Sequence, residues 1–190
     1  MIMASNVKHL MTVDHLEAIP YDERHRYELI EGKLYVSCAP GISHQLVLTN
    51  FLFELGIYLK NNRIGTLVPG PAVEFSKYNY VIPDIVFVSN ERWESTVAND
   101  QFIAAPNLVL EIVSPDSEYR KRDLKLKHKL YGKYAVQEYW AVEYWSRSVI
   151  VFRLTGNTLE KVMTLREEDT LESPIFPRLA LKLSTILNRG

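Results

Sequence analysis

Glu111 is the most informative residue of this 190-residue sequence. It lies in Leu108-Val109-Leu110-Glu111-Ile112-Val113, a nearly continuous apolar run that reads as a central strand covered on both faces. Alternation puts Leu108, Leu110 and Ile112 on one face and Val109, Glu111 and Val113 on the other. A glutamate inside such a strand is rarely buried unless it is paired or bound to metal. A buried salt bridge or an exposed sheet edge accounts for Glu111 as well as a metal does. Asp84 opens a second strand in Pro83-Asp84-Ile85-Val86-Phe87-Val88. Turn chemistry alone explains a Pro-Asp pair at a strand entry. Were the two strands neighbours, however, the two carboxylates would meet. Two hard oxygen ligands suit Mg2+, which takes one or two carboxylates and keeps several waters.

A helix over about 118–134 supplies the third piece. At helical spacing Leu124, Leu130, Tyr131 and Tyr134 share one arc, and Lys127 lies at its centre. Lys121, Arg122, Lys125, Lys129 and Lys133 fall on the opposite, solvated face. A lysine turned toward a sheet needs an anion. Glu111 or Asp84 would serve, and Asp123, one turn earlier, offers a purely structural i,i+4 partner. Two strand carboxylates and one inward lysine make a metal-hydrolase constellation. A cation held there would stabilise charge on a phosphate and acidify a bound water. Lys127 would orient or deprotonate that water, or neutralise the phosphate, and the sequence leaves these roles open.

The elements that must position these groups follow from the pattern. Residues 1–11 carry none. Thr12 caps a short helix, VDHLEAI, that stops before Pro20. RYELIEGKLYVS reads as a β-hairpin around Glu31-Gly32. A long amphipathic helix runs from Ser43, its N-cap, to about Asn61, with Leu48, Phe51, Leu52, Leu55 and Leu59 at helical spacing. TLVPG, PAVEFS and DIVFVS read as strands, and 89–105 as a polar loop. EYWAVEYW and SVIVFRL add two strands, LEKVMTL a third, and LALKLSTIL reads as a terminal helix. The succession predicts a mixed α/β fold, one central sheet flanked by helices. The length fits a single domain over 1–190, with its core at about 12–187.

Composition narrows the classes. A hydrophobic content of 47% excludes a disordered chain. A net charge of -1 excludes a general nucleic-acid coating protein, so contact with DNA must come from a local basic face. The single cysteine, Cys38, permits no intrachain disulfide or thiolate cluster. With no signal peptide and no membrane-spanning run, a cytoplasmic protein is expected.

Taken as an ordered set, several stretches carry a resemblance. These are YELIEG at 27–32, His44, PDIVFV at 83–88, LVLEIVSP at 108–115, then Asp123, Lys127 and Tyr131, and AVQEYWAVE at 135–143. Over about Thr12 to Leu187 the chain resembles a large bacterial family of restriction-endonuclease-like proteins, a domain of unknown function within the PD-(D/E)XK nuclease superfamily. The resemblance implies a restriction-endonuclease-like core with an N-terminal β-hairpin extension. It also implies Asp84 and Glu111 as ligands of Mg2+, with Mn2+ as a substitute, and hydrolysis of DNA phosphodiester bonds. Glu28 and His44 match family positions and join the candidate catalytic residues, Glu28 as an outer carboxylate and His44 as a phosphate contact or proton shuttle. Alternatively, Glu28 is a surface strand residue and His44 is bonded locally at a helix start. The superfamily motif places lysine two residues after the acid, where this chain has Val113, and in this branch the lysine is moved to the following helix, at Lys127. A homodimer is expected by analogy, since cutting a duplex favours two sites. The competing reading is a non-catalytic nuclease fold that binds DNA or serves as a scaffold.

Overall fold

The computed structural model of the protein describes residues 10–20, 22 and 24–188, so the first nine of the patternless residues 1–11 lie outside it. The helices are α1 (Val13–Glu17), α2 (Ile42–Asn61), α3 (Trp93–Thr96), α4 (Ser117–Lys121), α5 (His128–Lys133) and α6 (Leu183–Ile186), with a π-helical segment, Arg122–Lys127, fusing α4 to α5. The first eight strands are β1 (His25–Ile30), β2 (Lys33–Cys38), β3 (Gly65–Pro69), β4 (Val73–Ser76), β5 (Asn79–Val81), β6 (Ile85–Ser89), β7 (Val97–Ala98) and β8 (Gln101–Phe102). They are followed by β9 (Leu108–Ile112), β10 (Glu138–Glu143), β11 (Ser148–Thr155), β12 (Thr158–Arg166), β13 (Thr170–Ser173) and β14 (Phe176–Lys182).

The central sheet has the order β12-β11-β10-β9-β6-β3 and is mixed, because β9 and β10 are parallel while the other neighbours are antiparallel. The crossover from β9 to β10 is the α4–α5 helix, the element that carries Lys127. Both faces of the sheet are covered. Leu108, Leu110 and Ile112 pack with Val47, Phe51 and Leu55 of α2 and with the β13–β14 ribbon. On the other side Val109 and Val113 pack with Leu130, Tyr131 and Tyr139. Alternation along β9 therefore points Glu111 into the second layer, among the helix residues. A second sheet, ordered β2-β1-β5-β4-β8-β7, brings the β1–β2 hairpin alongside. Its Glu31-Gly32 turn has φ of 52° and 72°, the two left-handed positions that a two-residue hairpin needs.

Three local expectations are corrected. The long helix starts at Ile42 with Gly41, not Ser43, as N-cap, since the chain stays extended only through Gly41. The polar loop 89–105 holds α3 and the short β7–β8 pair. LALKLSTIL opens as strand rather than helix: Leu179 and Leu181 are buried and Ala180 and Lys182 exposed, a period of two that pairs with β13. Only Leu183–Ile186 is helical.

Candidate active site

Strand pairing brings Asp84 and Glu111 together. Antiparallel β6 and β9 set Ile85 opposite Leu110, and the next step of that register puts Asp84 across from Glu111. Both side chains are buried, at 3% and 4% exposure. Each Asp84 oxygen is held: Arg26 Nη1 donates to Oδ1 at 3.2 Å, and the Ile112 N–H donates to Oδ2 at 2.8 Å. His44 Nε2 lies 3.0 Å from the same Oδ2, while its Nδ1 is buried with no partner. The ring is thus fixed at one end only.

Lys127 sits between acids. Its Nζ is 2.8 Å from Glu28 Oε1, 2.9 Å from Glu111 Oε1 and 3.7 Å from Asp123 Oδ1. The i,i+4 partner Asp123 is present, but it is the farthest of the three. Tyr131 donates its O–H to the same Glu111 oxygen at 2.5 Å. Both of these hydrogen bonds go to one Glu111 oxygen, and Glu111 lines a cavity of about 190 Å3. Arg26, Glu28, His44, Asp84, Glu111 and Lys127 all line that cavity. The five residues singled out in the sequence therefore meet in one place, and Glu28 is a buried side chain rather than a surface one. Val113, at the motif's lysine position, is fully buried and apolar.

Sequence reasoning missed Arg122, which it put on the solvated face. Its side chain is only 11% exposed and pairs with Glu28 at 3.4 Å and Asp123 at 3.1 Å. The cause is the π-helical segment. Its wider i→i+5 turn re-aims Arg122, so that Arg122, Asp123 and Lys127 all face the sheet. Arg26 was missed too. The usable signal was the period of two in β1, which puts Arg26 on the same side as Glu28.

The charges do not balance. Four carboxylates (Glu28, Asp84, Glu111 and Asp123) meet three permanent cations (Arg26, Arg122 and Lys127). Burial raises every acid, and the neighbours decide the outcome. For Asp84 burial is outweighed by the His44 contact, the Ile112 N–H and Arg26, so its carboxyl lies below the usual range. Glu28 is also lowered, with Lys127, Arg122 and the Ile82 N–H overcoming burial. Burial dominates at Glu111: with Asp123, Asp84 and Glu28 adding to it against Lys127, the carboxyl is pushed up to about 8. Asp123 is raised as well, chiefly by burial. Burial works against the Lys127 charge, yet Glu111, Glu28 and Asp123 hold its ammonium above its ordinary value.

This donor set fits a hard divalent cation. It offers carboxylate oxygens from adjacent strands and an excess of negative charge. Among the described residues no three His, Cys, Asp or Glu side chains are arranged to hold a metal. Two carboxylates, completed by water or phosphate, are the type of site that Mg2+ accepts.

The central mixed sheet, its helices and this acid–lysine cluster define a restriction-endonuclease-like protein. A crystal structure of a "putative nuclease belonging to DUF820" from Anabaena variabilis superposes with a TM-score of 0.77 at 21% identity, covering 93% of this chain and 97% of that one. No curated protein sequence matches significantly. Residues 13–184 match the model of the Uma2 family, described as "Putative restriction endonuclease", and the chain belongs to that family.

Proposed function

We propose that the protein is a Mg2+-dependent endonuclease that hydrolyses DNA phosphodiester bonds, with Asp84 and Glu111 as metal ligands and residues 13–184 as one nuclease domain working in the cytoplasm. One observation carries the reading: Asp84, Glu111 and Lys127 line one cavity of about 190 Å3, where Glu111 is held through one oxygen by Lys127 and Tyr131. A bound Mg2+ would neutralise charge on a phosphate oxygen and acidify a water. Arg26, at the cavity wall, draws the phosphodiester in. Lys127 is firmly protonated and so serves as a charge, not a base. It fixes Glu28 and Glu111 and meets charge developing on the phosphate. His44 holds Asp84 in place. Manganese substitutes for magnesium at such oxygen sites.

The second reading is a non-catalytic DNA-binding or scaffold module with a closed ion cluster. The saturation of both Asp84 oxygens by Arg26, His44 and the Ile112 N–H favours it. A homodimer belongs to the first reading. Ile42, Leu46, Phe53 and Ile57, all exposed, form one apolar row along α2, whose first turn carries His44.

The test is cutting of supercoiled and single-stranded DNA with Mg2+ or Mn2+ by wild type, Asp84→Asn and Glu111→Gln. Metal-dependent cutting lost in both variants is the expected result. No cutting, together with a melting temperature indifferent to metal, sinks the enzyme reading in favour of the second.

A further inference from the structure

A second cavity, of about 400 Å3, adjoins the first: Arg26 and Ile82 line both. Its walls include Leu16 of α1, Tyr27 of β1, Tyr80 of β5 and Phe102 of β8. A half-enclosed cleft of this size with aromatic walls is the kind of concavity that takes a small aromatic ligand. The rim is acidic. Glu17 and Glu74 border it and lie close enough to Tyr80 to help burial hold its phenol above the ordinary value, whereas Asp22 on the same rim is taken up by the Arg24 N–H and the His25 ring. The one permanent cation on the wall, Arg26, is already turned to Asp84. An anionic ligand is therefore disfavoured. The chemistry selects a flat, uncharged, aromatic group that presents hydrogen-bond donors to carboxylates.

We propose that this second cavity is a nucleobase pocket, which takes the base of an unpaired nucleotide next to the phosphate held in the first cavity. The assignment rests on the phosphodiesterase reading for its orientation, since a nucleotide is what joins a phosphate to an aromatic donor. Two consequences follow. A base can enter only when unstacked, so the preferred substrate is single-stranded or carries an unpaired nucleotide at the cut. Carboxylate acceptors reward exocyclic amino groups, so adenine, cytosine and guanine are favoured over thymine.

The probe is the free deoxynucleoside, which has no phosphate and needs no metal. Deoxyadenosine is titrated into the full chain and followed by amide NMR shifts at Tyr27, Tyr80 and Phe102. Saturable binding in the millimolar range is expected, with deoxyadenosine and deoxycytidine at least threefold tighter than thymidine. Leu16→Trp, which fills the cavity, weakens binding at least tenfold. Glu74→Gln, at a half-buried strand position, keeps the fold should Leu16→Trp not, and reduces the preference over thymidine to less than twofold. No saturable binding of any deoxynucleoside, or binding that folded variants leave unchanged, overturns the pocket. The two readings separate cleanly. Nucleoside binding in a protein that cuts nothing counts against the phosphodiesterase alone, and cutting without nucleoside binding counts against the pocket alone.

Discussion

Replacing Lys127 with methionine removes a charge while nearly conserving volume. The ammonium it removes touches Glu28, Glu111 and Asp123 at 2.8, 2.9 and 3.7 Å, with Lys127 itself only 2% exposed. Breaking a buried ion pair by deleting one partner costs about 3–5 kcal/mol, because the remaining charge stays desolvated. In a chain of this size each kcal/mol shifts the melting temperature by about 2–4 °C, so a drop of roughly 6–20 °C is expected near pH 8. The acids that lose Lys127 regain neutrality by binding protons, so the deficit shrinks toward pH 5. A divalent cation that binds Asp84 and Glu111 restores part of it. Thermal melts by circular dichroism at pH 5, 7 and 8.5, with and without Mg2+, read all three effects. A drop under about 3 °C, equal at every pH, refutes the clamped-lysine account. A large drop that Mg2+ leaves untouched refutes the metal site while keeping the ion cluster.

Four further outcomes are expected. Glu111 carries a folded-state pKa raised to about 8, so its stabilising contribution is complete below the ordinary carboxylate range and is lost as pH climbs through 8. Metal-free wild type therefore melts lower at pH 9 than at pH 6, and Glu111→Gln flattens that slope, while an unchanged slope contradicts the assignment. Adding Val113→Lys to Lys127→Met places an ammonium on the Glu111 face of β9 and restores measurable cutting over the single variant, as followed by plasmid relaxation. Arg122→Met frees Glu28 and Asp123 of a partner and lowers the melting temperature by about 6–20 °C, on the same cost of about 3–5 kcal/mol for a lost buried pair. Phe53→Glu on α2 converts a dimer to a monomer in light scattering, and a mass unchanged from wild type removes α2 as the interface.

Much of the site could be read from the sequence because its parts obey short-range rules. The period of two in β9 set Glu111 apart from Leu110 and Ile112, and that face is the one the helix covers. Helical spacing isolated Lys127 among many lysines, since an inward lysine breaks an otherwise apolar arc. What stayed hidden depends on contacts distant in sequence. Glu28 was reached only through the family resemblance, since by pattern alone it is an ordinary hairpin residue until β1 docks and sets it against Lys127, 99 positions later. Arg122 was misplaced because the wheel assumed an α-helix throughout, and local sequence gives no sign of the π turn. The strand at Phe176–Lys182 was misread because Leu-Ala-Leu-Lys-Leu satisfies both periods over so short a span, and pairing with β13 decides between them.

The π-helical turn also constrains how the gene can change. A π segment is in effect one residue inserted into an α-helix, so deleting a residue such as Lys125 offers the helix a regular and locally more comfortable path. Phase is kept: a turn that closes at i→i+5 in the π segment closes at i→i+4 in an α-helix, so Arg122 and Lys127, brought to i,i+4 spacing, still face the sheet together. A frame-preserving single-codon deletion inside the segment would leave a folded helix, an intact hydrophobic stripe and the cluster still turned to the sheet. The segment Arg122–Lys127 should accordingly accept the loss of one exposed residue, such as Lys125 or Leu126, whereas a deletion within α4 or α5 turns the flanks by about 100° relative to each other.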